Sequence, residues 1–139
     1  MAAAILSGGC SGGSTPAVVV SEGADSEQAL VSKFEEAHQS RGTAKIMALG
    51  YWEGVPEGDR SLFEMDLGKV MSRSLRSVKI EPVNEHLRLK IAARATDFQL
   101  PPVVGRLEVR YAESWGDGVM YIPVVVKSGK YYLTHLSGD

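Results

Sequence analysis

Three histidines, His38, His86 and His135, one thiol, Cys10, and, of the 17 carboxylates, Asp66, Asp97, Glu108 and Glu113 are the side chains of this 139-residue chain considered first for chemistry. The histidines lie far apart and show no ligand spacing such as His-x-x-x-His, so no metal site is read from them. His135 follows a run of β-branched and aromatic residues, where burial or a nearby carboxylate would move its proton affinity; it is a candidate pocket base, and the plainer reading is a hydrogen-bonded core or rim histidine. Asp66 falls at the edge of an apolar helical stripe, one turn before Val70, and could look into a cavity as a general base. An exposed carboxylate is the plainer reading there. Local spacing sets no second acid or base beside either residue, so Asp66 and His135 are the weak catalytic candidates and no acid–base pair is proposed. There is no Gly-rich phosphate loop, no Gly-x-Ser-x-Gly elbow and no cofactor fingerprint, and no cofactor is expected. Tyr51, Trp52, Trp115, Tyr131 and Tyr132 could line an apolar pocket or fill a core.

Cys10 excludes an internal disulfide and any multi-cysteine metal site, because it is alone. Its setting carries more information. The run Met1-Ala-Ala-Ala-Ile-Leu-Ser-Gly-Gly-Cys10 resembles the end of a bacterial lipoprotein signal peptide, in which the cysteine after a leucine-and-small-residue box is lipidated. Leu6 stands four residues before the cysteine where the usual box has three, and no Lys or Arg precedes the apolar run. Residues 1–24 are therefore read as a lipobox-like segment and a tether, and 25–139 as one domain. The tether, residues 11–24, would span roughly 20 Å as a flexible chain. This places the chain at a bacterial cell envelope, lipid-anchored, with a cytoplasmic location as the alternative. No other apolar run approaches the ~20 residues of a membrane-spanning helix.

Composition fits one soluble globular domain, with 44% apolar and 23% charged residues. The net charge of −2 hides an asymmetry, since residues 20–66 hold ten acids against four bases and residues 67–110 hold nine bases against four acids. The bases are spaced among apolar residues, as on solvated faces of helices and strands, and nucleic acid is not an expected partner.

Several elements must position these side chains. Asp25 and Gln28 have capping-box spacing before Leu30, Val31, Phe34, Ala37 and His38, which recur at helical intervals up to Gly42. Thr43 can cap a second, short helix through Ala44, Met47 and Tyr51. A third follows Pro56-Glu57-Gly58-Asp59, with Leu62, Phe63, Leu67, Val70, Met71 and Leu75 on one stripe. Beyond it the period becomes two: Val78 and Ile80; Leu87, Leu89, Ile91 and Ala93; Leu107, Val109 and Tyr111. The last pattern, from Val119 to Leu136, reads as a hairpin turning at Ser128-Gly129. Its pairing sets Lys127 opposite Lys130, Val126 opposite Tyr131, Val124 opposite Leu133 and Ile122 opposite His135, and Pro123 suits a bulge or an edge. Neither face of this hairpin is clearly polar, so both should be covered. Three helices and about five antiparallel strands make an α+β fold, the helices packed on a curved sheet.

This order of elements, with the closing Val-Met-Tyr-Ile-Pro-Val-Val-Val-Lys-Ser-Gly-Lys-Tyr-Tyr-Leu, resembles the nuclear transport factor 2-like (cystatin-like α+β) superfamily over residues 26–139, and within it uncharacterised bacterial envelope lipoproteins. The resemblance implies a cone with a pocket between helices and sheet, lined here by Phe63, Leu67, Ile122, Val124, Tyr131 and Leu133, and pairing of two copies through the sheet's outer face. Three functions are then open. The first is a non-catalytic, envelope-tethered protein that binds a small apolar ligand or a protein partner. The second is an isomerase- or hydratase-like enzyme using Asp66 or His135, and the third a structural homo-oligomeric module.

Overall fold

A computed structural model of the protein describes residues 22–94, 101–112 and 118–136. Cys10, Asp97, Glu113 and Trp115 lie outside the described residues, as does the tether up to residue 21. Residues 22–24, expected to belong to that tether, are part of the domain: the Glu22 amide donates to the Ala48 carbonyl at 2.7 Å, and Ala24 exchanges backbone hydrogen bonds with Tyr131 and is fully buried.

The first helix, α1 (Glu27–Gln39), begins one residue later than its capping-box signal. Ser26, extended at φ −155°, is the cap, and its hydroxyl accepts from the Ala29 amide at 3.0 Å. Asp25 instead pairs with Lys130. Leu30, Val31, Phe34, Ala37 and His38 form the buried face as their spacing requires. At the other end the Gly42 amide returns to Ala37 and the Arg41 amide to His38, a Schellman closure with Arg41 at φ 57° where glycine is usual. The Arg41 guanidinium donates to the Met71 carbonyl, which fixes this turn to the end of the third helix.

Gly42, not Thr43, caps α2 (Thr43–Met47), and Pro56 precedes α3 (Glu57–Val70). In α3 the buried set is Phe63, Leu67 and Val70; Leu62, one position off that line, is 43% exposed rather than on the stripe. Leu75, read as the stripe's last residue, opens strand β1 (Leu75–Pro82).

Glu85–Arg94, read from its alternation as a strand, is the helix α4. Asn84 supplies the reason: its side-chain carbonyl accepts from the Leu87 amide at 2.8 Å, which starts a helix in a segment rich in Glu, Leu, Arg, Lys and Ala. Leu87 is buried but Leu89 is 61% exposed, an outcome that period two on one covered face would not give. The sheet therefore has four strands among the described residues, adding β2 (Val103–Tyr111), β3 (Val119–Lys127) and β4 (Lys130–Leu133) in the order β1-β2-β3-β4, all antiparallel and curled into a half-barrel.

Three of the four expected hairpin pairs are present, Lys127 with Lys130, Val126 with Tyr131 and Val124 with Leu133. Ser128 and Gly129 both have positive φ, as a two-residue primed turn requires. The fourth pair, Ile122 with His135, does not form because the ladder ends at Leu133. Pro123 stops it: it lies in a central strand rather than at an edge, where its carbonyl accepts from the Thr134 amide at 3.0 Å but it has no N–H to return.

Inside the curl, Phe34, Ile46, Leu67, Leu107, Val109, Ile122, Val124 and Leu133 are all at most 1% exposed and belong to one core. At the β1–β2 crossing a Cβ on Gly105 would sit 2.3 Å from the Glu81 carbonyl oxygen, so Gly105→Ala is expected to cost about 1–3 kcal/mol in urea unfolding. Gly68→Ala, in the interior of α3 with open space around it, is expected to stabilise by up to about 1 kcal/mol in the same measurement.

Candidate functional site

The six residues expected to line a pocket do come together between helices and sheet. Phe63, Leu67, Ile122, Val124 and Leu133 are at most 2% exposed and belong to the packed core, and the half-buried Tyr131 rests against it. The Phe63 ring is held between Trp52, 5.4 Å away, and His135, 5.8 Å away. His135 is half-buried at this edge of the core, which is where the plainer reading of the sequence set it. Asp66 points toward solvent, its side chain 44% exposed, and pairs with Lys69 one turn on at 3.8 Å. Such an exposed pair contributes at most about 0.5 kcal/mol.

Among the described residues, clefts lie elsewhere, and none of these eight residues lines the two described below. The larger, about 550 Å³, runs between α1 and α2. Buried Ala37 and Leu49 and half-buried Ala48 are its apolar floor, and exposed Ala44 lies with Lys33, Glu36, Lys45 and Glu22 along its sides. The smaller cleft, about 210 Å³, lies between α4 and the second face of the sheet and is lined by His86, Leu87, Lys90, Arg106, Tyr121 and Pro123. A partner or another chain was expected over that face; within the chain, His86, Leu87 and Lys90 of α4 lie beside Arg106, Tyr121 and Pro123, and Val125, Thr134 and Leu136 are at most 2% exposed.

Beside this cleft the second face holds a charged lattice. Glu108, weighed from sequence as a pocket carboxylate, is 2% exposed and is bonded by Arg110 at 3.1 and 3.2 Å, with Lys79 at 3.5 Å. Burial alone would raise its proton affinity, but the hydrogen bonds from Arg110 and the charges of Arg110 and Lys79 outweigh it and hold the carboxyl below its ordinary value. Arg106 bonds Glu81 at 3.1 Å and lies 3.8 Å over the Tyr121 ring, a cation–π contact. The alternating charges of β1 and β2 were visible in sequence; their convergence required the register of Lys79 opposite Glu108 and Glu81 opposite Arg106.

His38 ends the α1 stripe read from the sequence. It is 2% exposed, its ring 5.6 Å from Tyr111 and 6.1 Å from Phe34. Desolvation lowers its proton affinity below the ordinary imidazole value, and Arg41 adds to this, against a hydrogen bond to the Val70 backbone. Burial likewise pushes the Tyr111 phenol up to about 12. Among the described residues no group of three or more His, Cys, Asp or Glu is placed to hold a metal ion, and no helix is long and apolar enough to cross a membrane.

Leu67→Ala is expected to lose about 2–5 kcal/mol of stability, the cost of a cavity in a filled core. Glu108→Gln is expected to lose about 1–2 kcal/mol at neutral pH, reduced by the solvent around Arg110 and Lys79. Because the folded carboxyl titrates lower than the unfolded one, its contribution is present above the ordinary glutamate value of 4.5 and fades as pH falls through the folded value. Urea unfolding of both proteins from neutral pH into this range should show their difference shrinking.

Comparison of the chain with protein-family models, with curated proteins and with solved structures found no match.

Proposed function

We propose that this chain is a non-catalytic binding module, held at a bacterial cell envelope through a lipid on Cys10, which takes a small apolar ligand or an apolar segment of a protein partner in the α1–α2 groove. The observation that supports this reading is the groove itself: an alanine and leucine floor inside a rim of alternating lysines and glutamates, beside Glu22, where the described chain begins. An apolar floor supplies non-specific affinity, and a ring of charges of both signs orients what enters. The lipobox-like setting of Cys10 supports the anchor. Nuclear transport factor 2-like architecture is part of the same proposal, with the helix-and-sheet interior filled and the binding surface moved outside it.

Two measurements test the reading. The protein expressed in a bacterium with its full sequence should partition into the detergent phase and carry the added mass of acyl chains, and Cys10→Ala should return it to the aqueous phase; an unmodified Cys10 on an aqueous product removes the anchor. An apolar fluorescent probe, anilinonaphthalene sulfonate, should bind the folded wild type, and Ala44→Phe, which places a ring across the groove, should weaken that binding about tenfold or more. Unchanged probe affinity in a folded Ala44→Phe protein removes the groove.

A further inference from the structure

Among the described residues, the Nε2 of His38 and the hydroxyl of Tyr111 are buried with no hydrogen-bond partner. Their side chains are 2% and 4% exposed and come from different layers, α1 and β2, with their rings in contact. Buried polar atoms are nearly always satisfied, so a pair left open at one junction marks a place held together by packing and open to a change in charge. We infer that His38 is an acid-sensitive latch: neutral, it lets the last turns of α1 lie against Tyr111 and the end of α3; protonated, it forces them away from the sheet.

The surroundings decide the sign. From its own element, the charge that acts on His38 is Arg41, whose guanidinium is fixed on the Met71 carbonyl. From α3 it meets the Val70 backbone, and from β2 the neutral Tyr111, itself acted on by Arg73 from the turn after α3. The charges that act on the two rings are thus those of two arginines, Arg41 on His38 and Arg73 on Tyr111. An imidazolium here would add a further positive charge in a buried place, with an Nε2–H that has no acceptor in this structure. The C-terminal end of α1 favours a cation, but that effect and the Val70 bond are outweighed, and the folded imidazole binds its proton less readily than the unfolded one. Stability is therefore unaffected above the ordinary value of 6.5 and is lost as pH falls from there toward the lower folded value.

Release would be local. Arg41-Gly42 and α2 follow directly, and Ala37 and Ser40, which flank His38 in sequence, line the α1–α2 groove. The latch stands on the surroundings of His38 alone; its effect on a bound ligand rests on the groove reading above, and the test below uses no ligand, so the two fail separately.

Amide hydrogen exchange of the full chain, followed by mass spectrometry at about pH 7.5 and about pH 5.5 and corrected for intrinsic rates, reads the latch directly. Peptides spanning residues 34–42 should lose protection at the lower pH, by up to about tenfold one unit below the unfolded imidazole value, while α3 and β3 keep theirs. His38→Phe should abolish this response. Equal changes throughout the domain, or a wild-type response in His38→Phe, overturn the proposal. Should His38→Phe not fold, the imidazole resonances of the wild type decide: a His38 midpoint below about 6.5 supports the latch, and one at or above it overturns it.

Discussion

The inner face of β2 and β3 carries the domain. Leu107 and Val109 on one strand and Ile122 and Val124 on the next are almost wholly removed from water, and the helices are held by what they place against these four side chains. Each such aliphatic contributes about 1.5–3 kcal/mol by its burial, far more than any surface ion pair described above. The consequence for function is direct. A sheet that curls around Phe63, Leu67 and Leu133 uses its concave side for stability, and what remains for recognition is the exterior, where helices meet one another or meet the second face.

The same economy shows at the sheet's edge. β4 is only four residues long, and its outer side is closed by Ala24 against Tyr131 and by Leu49 to Tyr51 against Leu133, with Thr134 bonding the Tyr51 carbonyl through its hydroxyl. At the opposite side β1 carries Arg76, Lys79 and Glu81 and ends in Pro82, charges and a missing donor that discourage pairing with another strand. The larger groove exists because the segment that completes β4 also brings α2 beside α1.

Much of this was legible in the residues. The α1 stripe, the primed turn at Ser128-Gly129 and the first three hairpin pairs follow from period and turn chemistry. Glu85–Arg94 was misread because Leu87, Leu89, Ile91 and Ala93 satisfy period two as well as a helix does over so short a span; Asn84, a capping residue at the right distance, was the discriminating signal. Ile122 and His135 were paired across a proline whose cost depends on which side of its strand the next strand lies, a fact of topology rather than of local sequence. The pocket could not be judged from residue types at all, since a lined cavity and a filled core draw on the same Phe, Leu, Ile and Val, and only relative placement tells them apart. The α1–α2 groove is likewise a product of how two helices meet.

Asp25 and Lys130, which pair across β4 beside the Ala24 bridge, are 105 positions apart in the chain. Few contacts in a domain this size span so much sequence, and loop closure of that length is slow to gain a return. During synthesis the outer side of the closing hairpin and the strip of residues 22–24 must each wait for the other, so β4 is the last edge to be sealed. Until then its backbone is an open template, and the lysines on either side of its turn, Lys127 and Lys130, put charge at that edge against the wrong strand.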